Sequence, residues 1–297
     1  MAMTPRNCLV PGRRARQGLI LVITVIGLVT SACGVGVVSG RQHTTALAAA
    51  TSGAGASPSV TSPSQAAVSG IRQSKHPKPL AGKIIGIDPG HNGHNHLDPA
   101  FIDHQIWNGR EWEDCDTTGT ETDSGYTEAR YNWNVAMYLT RDLRRDGAKV
   151  VLTRHSNVGV GPCVNRRSEI INHAHANVAI DIHADGGPPT GRGFAILEPV
   201  ADGPNDHVIK SSERFGYYVR SAFLKYTPMP TSTYDGVHGI KFRDDLAGLN
   251  LTRVPKVLVE CGNMRNATDA RLLTSSRFQQ EVARALTAAI IHFLRKR

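Results

Sequence analysis

From Gly82 onward the chain alternates short, unbroken apolar runs with longer segments of helical period, and this alternation limits the fold more than any other feature. The runs at 83–87 (KIIGI), 149–153 (KVVLT), 177–183 (NVAIDIH), 191–197 (GRGFAIL) and 256–260 (KVLVE) have strand length and are rich in Val and Ile. Between them, 127–147 (TEARYNWNVAMYLTRDLRRDG) gathers Ala129, Trp133, Ala136, Met137 and Leu143 near one face and stops at Gly147. The segments 165–175, 207–226 and 276–296 share that period, the last becoming almost wholly apolar over 285–294. Strands that read as continuous apolar runs belong to a sheet covered on both faces. The expected fold is a single α/β domain with a mostly parallel central sheet flanked by helices on both faces, without internal repeats. In such a fold the reactive groups stand at the carboxyl ends of the strands. The first strand ends there on Asp88, Pro89, Gly90 and His91.

Charge separates this region from what precedes it. Eight of the 34 Lys and Arg, but none of the 25 Asp and Glu, fall in residues 1–80, which leaves 26 basic against 25 acidic residues in 81–297. The net charge of +9 therefore belongs mostly to the leader, and the folded part has no basic excess with which to bind nucleic acid. Within 1–39, Arg13, Arg14 and Arg16 precede the apolar run 19–29, and the small residues Thr30, Ser31, Ala32 and Cys33 follow it. That order is expected of an export signal or anchor: cleaved after Ala32, lipidated at Cys33, or kept as a membrane span. Each alternative places the rest of the chain in the cell envelope, in a periplasm-like space or the cell wall. Residues 40–80 are rich in Ser, Thr, Ala, Gly and Pro, cannot bury enough apolar surface to offset chain entropy, and are expected to form a flexible tether to the folded domain at 81–297.

Outside the leader three cysteines remain. Cys115 and Cys163 stand in polar, turn-rich segments where an oxidising compartment favours pairing, whereas Cys261 stands among apolar residues as a buried free thiol. No Cys-x-x-Cys spacing supports a cysteine zinc site.

Three strand ends carry groups suited to metal or proton chemistry: His91, His183 and Glu260. A fourth, Glu128, opens the long helix. Two imidazoles and a carboxylate with one open position make a catalytic zinc arrangement. Singly, each has an ordinary alternative as a turn residue or a helix-dipole partner.

The wording around all four positions resembles the bacterial zinc-dependent N-acetylmuramoyl-L-alanine amidases. IIGIDPGHNG is similar to the family's first-strand motif, SGYTEARYNWNVAMYL to its glutamate segment, RRSEIINHAHANVAIDIHAD to the stretch ending in the second histidine, and RVPKVLVECGNMRNATDARLL to the last strand and turn. The resemblance implies a zinc ion (Zn2+) held by His91, Glu128 and His183, with Glu260 as general base, and peptidoglycan muramyl peptides as substrate. Asp88 is expected either to orient the imidazole of His91 or to cap the turn.

The chain departs from the family at 93–123, a segment longer than the usual connection and rich in His, Trp and Asp. His94, His96 and His104 there offer a competing metal site, against the simpler expectation of a solvent-facing loop; a bond between Cys115 and Cys163 would pin this segment. Around the second histidine stand Asp181 and Asp185, each expected to be either a carboxylate acting near the metal or a surface residue. His173 and His175 are expected to be packing or surface groups, and Arg154, Arg166 and Arg167 to meet either stem-peptide carboxylates or structural partners. The alternatives to an amidase are a non-catalytic peptidoglycan-binding module and a zinc peptidase or deacetylase acting on another wall bond. A monomer is expected.

Overall fold

The computed structural model describes residues 78–295. The expected export signal or anchor at 1–39, Cys33 included, and the tether up to residue 77 lie outside the described residues. Leu80, at the expected end of the tether, is fully buried, and its N–H donates to Asp146 O at 3.0 Å. Ordered packing is therefore already present at this residue.

The elements follow in the order β1 (Ile84–Pro89), α1 (Pro99–Ile102), β2 (Gln105–Trp107), β3 (Trp112–Asp114), α2 (Glu128–Arg145), β4 (Lys149–Leu152), α3 (Val164–His173), β5 (Val178–Asp185), β6 (Ala195–Pro199), α4 (Ile209–Tyr226), β7 (Ile240–Arg243), α5 (Ala247–Asn250), β8 (Lys256–Asn263), α6 (Ala267–Leu273) and α7 (Ser276–Arg295). The main sheet has six strands in the order β4-β1-β5-β8-β6-β7, and only the β6–β8 pair is antiparallel. This is the mostly parallel α/β architecture that the run pattern implies.

Side-chain alternation gives the sheet two chemically different faces. On one, Ile85, Ile87, Val178, Ile180, Val257 and Val259 form a single core with α2, α4 and α7, to which Leu139, Phe215 and Phe293 contribute. On the other, α3 and α5 cover smaller clusters: Ile171 with Ala179, and Leu249 with Leu197 and Leu258. Register places Gly86, Ala179 and Lys256 abreast on that second face, then Asp88, Asp181 and Leu258, then His183 and Glu260. Asp88, Asp181 and Lys256 are thus collected on the face that α3 and α5 cover, whereas Glu198 of β6 is buried on the other face against Gly216 of α4.

Three parts of the chain differ from expectation. Residues 191–194 do not join β6, because Gly193 takes φ +104° and its N–H donates to Asp269 Oδ2 at 2.6 Å; the strand starts at Ala195. The segment 93–123 carries α1 and the β2–β3 hairpin, and β7 lies at the sheet edge. These elements are too short for periodicity to announce them and are held by neighbours instead. A disulfide joins Cys115 to Cys163, as expected, and Cys261 is a buried free thiol.

Candidate functional site

β1 ends in a turn whose last residue, His91, has φ +57°, a conformation that β-carbon sterics disfavour and that the surrounding packing imposes. The turn aims the imidazole across the ends of the strands. Glu128, the first residue of α2 after the capping Thr127, and His183 on β5 complete a cluster whose ligand-type atoms all lie within 4.8 Å of one another. His91 Nε2 stands 3.2 Å from Glu128 Oε2, and His183 Nδ1 stands 2.9 Å from Glu128 Oε1. The two rings meet edge to face with centroids 4.9 Å apart.

Backbone and side chains fix each group from behind. Glu128 Oε2 accepts from Thr120 N at 3.0 Å and Oε1 from Ala184 N at 3.1 Å. His91 Nδ1 faces Asp116 Oδ1 at 3.3 Å and Thr117 O at 3.1 Å. His183 Nε2 faces Asp181 Oδ1 at 3.3 Å. Each imidazole therefore turns one nitrogen to the cluster and the other to a carboxylate, the arrangement that orients metal-binding histidines and raises their basicity. Gly90 makes room for this, since a β-carbon there would sit 2.2 Å from the His183 ring.

Electrostatics follow the same geometry. Burial works against an imidazolium at 91, yet Glu128 and Asp116 outweigh it and lift His91 to about 9. At His183 burial is likewise overcome, by Asp181 and Glu128, and the ring is held well above its ordinary value. Burial opposes ionisation of Glu128, but the two histidines hold its carboxyl well below the usual range. Three such donors with a shared centre can take a divalent cation, whose charge replaces the protons they would otherwise share.

Glu260 lies beside His183 in the β5–β8 register. Its Oε2 is buried and finds no hydrogen-bond partner among the described residues. Burial, reinforced by Glu128 and Asp185 and opposed by the histidines, raises this carboxyl to about 8. An unpaired carboxylate with a raised pKa next to a ligand cluster is suited to proton transfer. All four residues singled out from the sequence thus come together, from β1, α2, β5 and β8.

Two expectations about their surroundings are corrected, at Asp88 and Asp181, and the structure decides between the alternatives for the others. Asp88 neither orients His91 nor caps a turn; it is buried and accepts from Thr153 Oγ1 (2.6 Å), Lys256 Nζ (2.8 Å) and Arg167 Nη1 (3.2 Å). The imidazole of His91 is oriented by Asp116, which the sequence did not single out and which Arg167 grips at 2.9 Å. Burial opposes ionisation of Asp116, but Arg167 and His91 hold it down at about 2. Asp181 is not a surface residue, because it is buried between His183 and Lys256 Nζ, the latter at 3.4 Å. Asp185 accepts from the Tyr234 hydroxyl at 2.8 Å. Arg154 and Arg167 are buried and hold backbone carbonyls at the end of β1, whereas Arg166 pairs with Glu169 on the surface. His104 lies near the Cys115–Cys163 sulfurs, which the disulfide already consumes, and the rings of His94 and His96 meet edge to face. Lys256 had a legible signal: a lysine opening an apolar strand, on the same face as Glu260, must find carboxylates.

A family profile for the N-acetylmuramoyl-L-alanine amidases, Amidase_3, matches residues 85–292. The chain belongs to this family. The N-acetylmuramoyl-L-alanine amidase Rv3717 of Mycobacterium tuberculosis is 37% identical over 225 residues, which span 73% of this chain and 89% of that protein. The crystal structure of the N-acetylmuramyl-L-alanine amidase Ami1 of Mycobacterium smegmatis superposes with a TM-score of 0.69 at 37% identity, covering 73% of this chain and 99% of that one. The CwlD amidase of Clostridioides difficile, at 20% identity and a TM-score of 0.56 over 72% of this amidase-family chain and 100% of its own, shares the fold.

Proposed function

We propose that the protein is a zinc-dependent peptidoglycan hydrolase that cuts the amide between N-acetylmuramic acid and the L-alanine of the stem peptide. The observation that carries this is the convergence of His91, Glu128 and His183 within 4.8 Å, with Glu260 beside His183 in the register. In this proposal His91, Glu128 and His183 would hold one zinc ion. When bound, zinc supplies Lewis-acid polarisation of the scissile carbonyl and acidifies a water towards a pKa of ~7. Glu260 Oε2 takes the proton of the attacking water and passes it to the departing alanine nitrogen. Asp116 and Asp181 keep the two imidazoles in the tautomers that present Nε2 of His91 and Nδ1 of His183 to the cluster. The membership of the chain in the amidase family supports this bond over others in the wall, and the N-terminal pattern of 1–39 supports action outside the cytoplasm, by a chain held through an anchor or released; that it acts as a monomer is part of the same proposal.

The test is product analysis by mass spectrometry after incubating the purified, zinc-loaded chain with peptidoglycan. Free stem peptides beginning with alanine are expected; sugar or peptide fragments from any other bond would refute the assignment. Glu260→Ala is expected to retain zinc and lose cleavage, whereas His183→Ala loses both, as metal analysis of the two variants will show.

A further inference from the structure

We propose that the β2–β3 hairpin and the outer side of α3 form a glycan-binding groove, separate from the residues that do the chemistry. The inference rests on the amidase proposal only for the identity of the polymer.

Trp107 and Trp112 face each other across the hairpin, 47% and 65% exposed, with ring centroids 5.7 Å apart. Leaving about half of an indole in water forfeits roughly 1 kcal/mol of burial, and here two are left so side by side. Trp107 also lines a groove of about 610 Å³, within the approximately 300–1,000 Å³ typical of ligand sites. Besides the indole, the groove is walled by α3 and by the segment before β8. The guanidinium of Arg253, the imidazole of His175 and the side-chain amide NH2 of Asn165 line it and donate no hydrogen bond among the described residues. An exposed indole in one groove with unpartnered donors suits a pyranose ring. Its C–H face stacks on indole while its hydroxyl and N-acetyl oxygens accept hydrogen bonds from the rim.

The place of the groove fits a polymer. Asn165, Ser168 and Asn172 of α3 line it, whereas Val164 and Arg167 of the same helix line the cavity beside His91 and His183. The helix is thus the partition between them, and a glycan strand along its outer side can leave its peptide-bearing sugar at the cluster. No additional wall-binding repeat is needed to retain the strand.

Peptide-free glycan strands of alternating N-acetylglucosamine and N-acetylmuramic acid are the probe. With the zinc-loaded full chain we expect these strands to change tryptophan fluorescence saturably and to carry the protein into the pellet with insoluble material. Trp107→Ala/Trp112→Ala, and separately Arg253→Ala, should weaken retention about tenfold, with hydrolysis of a small soluble muramyl peptide unchanged. The proposal is overturned if the wild-type chain ignores peptide-free strands, or if the variants bind them equally. It is also overturned if small-substrate turnover falls in step with binding, or if the indoles alter only self-association in light scattering. Glycan binding by a wild-type chain that releases no stem peptide would instead refute the amidase assignment and leave the groove standing.

Discussion

At His183 a single imidazole is shared by two carboxylates, Glu128 at Nδ1 and Asp181 at Nε2, and its position depends on a neighbour with no side chain. A β-carbon at Gly90 would collide with the ring at 2.2 Å. Gly90→Ala should therefore push His183 off the cluster and weaken zinc binding by about 10–100-fold, measurable by competition with a chelator, while circular dichroism stays that of the folded protein. Glu260 sets a second expectation. It must be ionised to accept a proton, and burial raises it from 4.5 to about 8 where no cation offsets the effect. A bound cation favours the ionised form, so kcat/KM should fall as pH drops through a midpoint between 4.5 and about 8. A rate that stays level down to the lower limit of this window would exclude Glu260 as the base.

At the scale of elements, the insertion between β1 and α2 does more than decorate the surface. The Cys115–Cys163 bond closes a loop with a sequence separation of 48, tying the end of the β2–β3 hairpin to the start of α3. Asp116, next to the first cysteine, holds His91, and Arg167, one turn into α3, holds Asp116. Chain-entropy arguments give such a loop about 4 kcal/mol. Replacing both cysteines by serine should lower unfolding stability by about 2–4 kcal/mol in denaturant titrations. The histidine-rich wording of the insertion invited a metal-site reading; its histidines line the surface, and its aspartate matters more. Asp116 stayed hidden because nothing in the local pattern of WEDCDTTGT says which of its acids turns inward.

For the molecule as a whole, the second face of the sheet is a buried electrostatic layer. Lys256 and Arg167 bridge Asp88, Asp116 and Asp181, all of them buried, and two of these carboxylates orient the histidines. Burial and the two cations oppose each other at Asp88, and the cations win, holding its carboxyl well below the usual range. Removing one partner of such a set leaves charge without compensation, so Lys256→Met should cost about 3–5 kcal/mol in equilibrium unfolding. A loss below 1 kcal/mol would mean that Asp88 and Asp181 are satisfied without it. The α/β class, the five main strands, the helices α2, α3, α4 and α7, and the meeting of His91, Glu128 and His183 with Glu260 beside them were legible in the chain, because buried strands and amphipathic helices write their periods locally and the motif wording is local too. What only the tertiary structure decided is how charges are shared: which acid backs which histidine, that Asp88 serves Lys256 and Arg167 instead of His91, and that Asp181 is interior. Those pairings join residues up to 168 positions apart across strand register, and Coulomb interactions in a buried layer depend on separation in space, which no stretch of sequence encodes by itself.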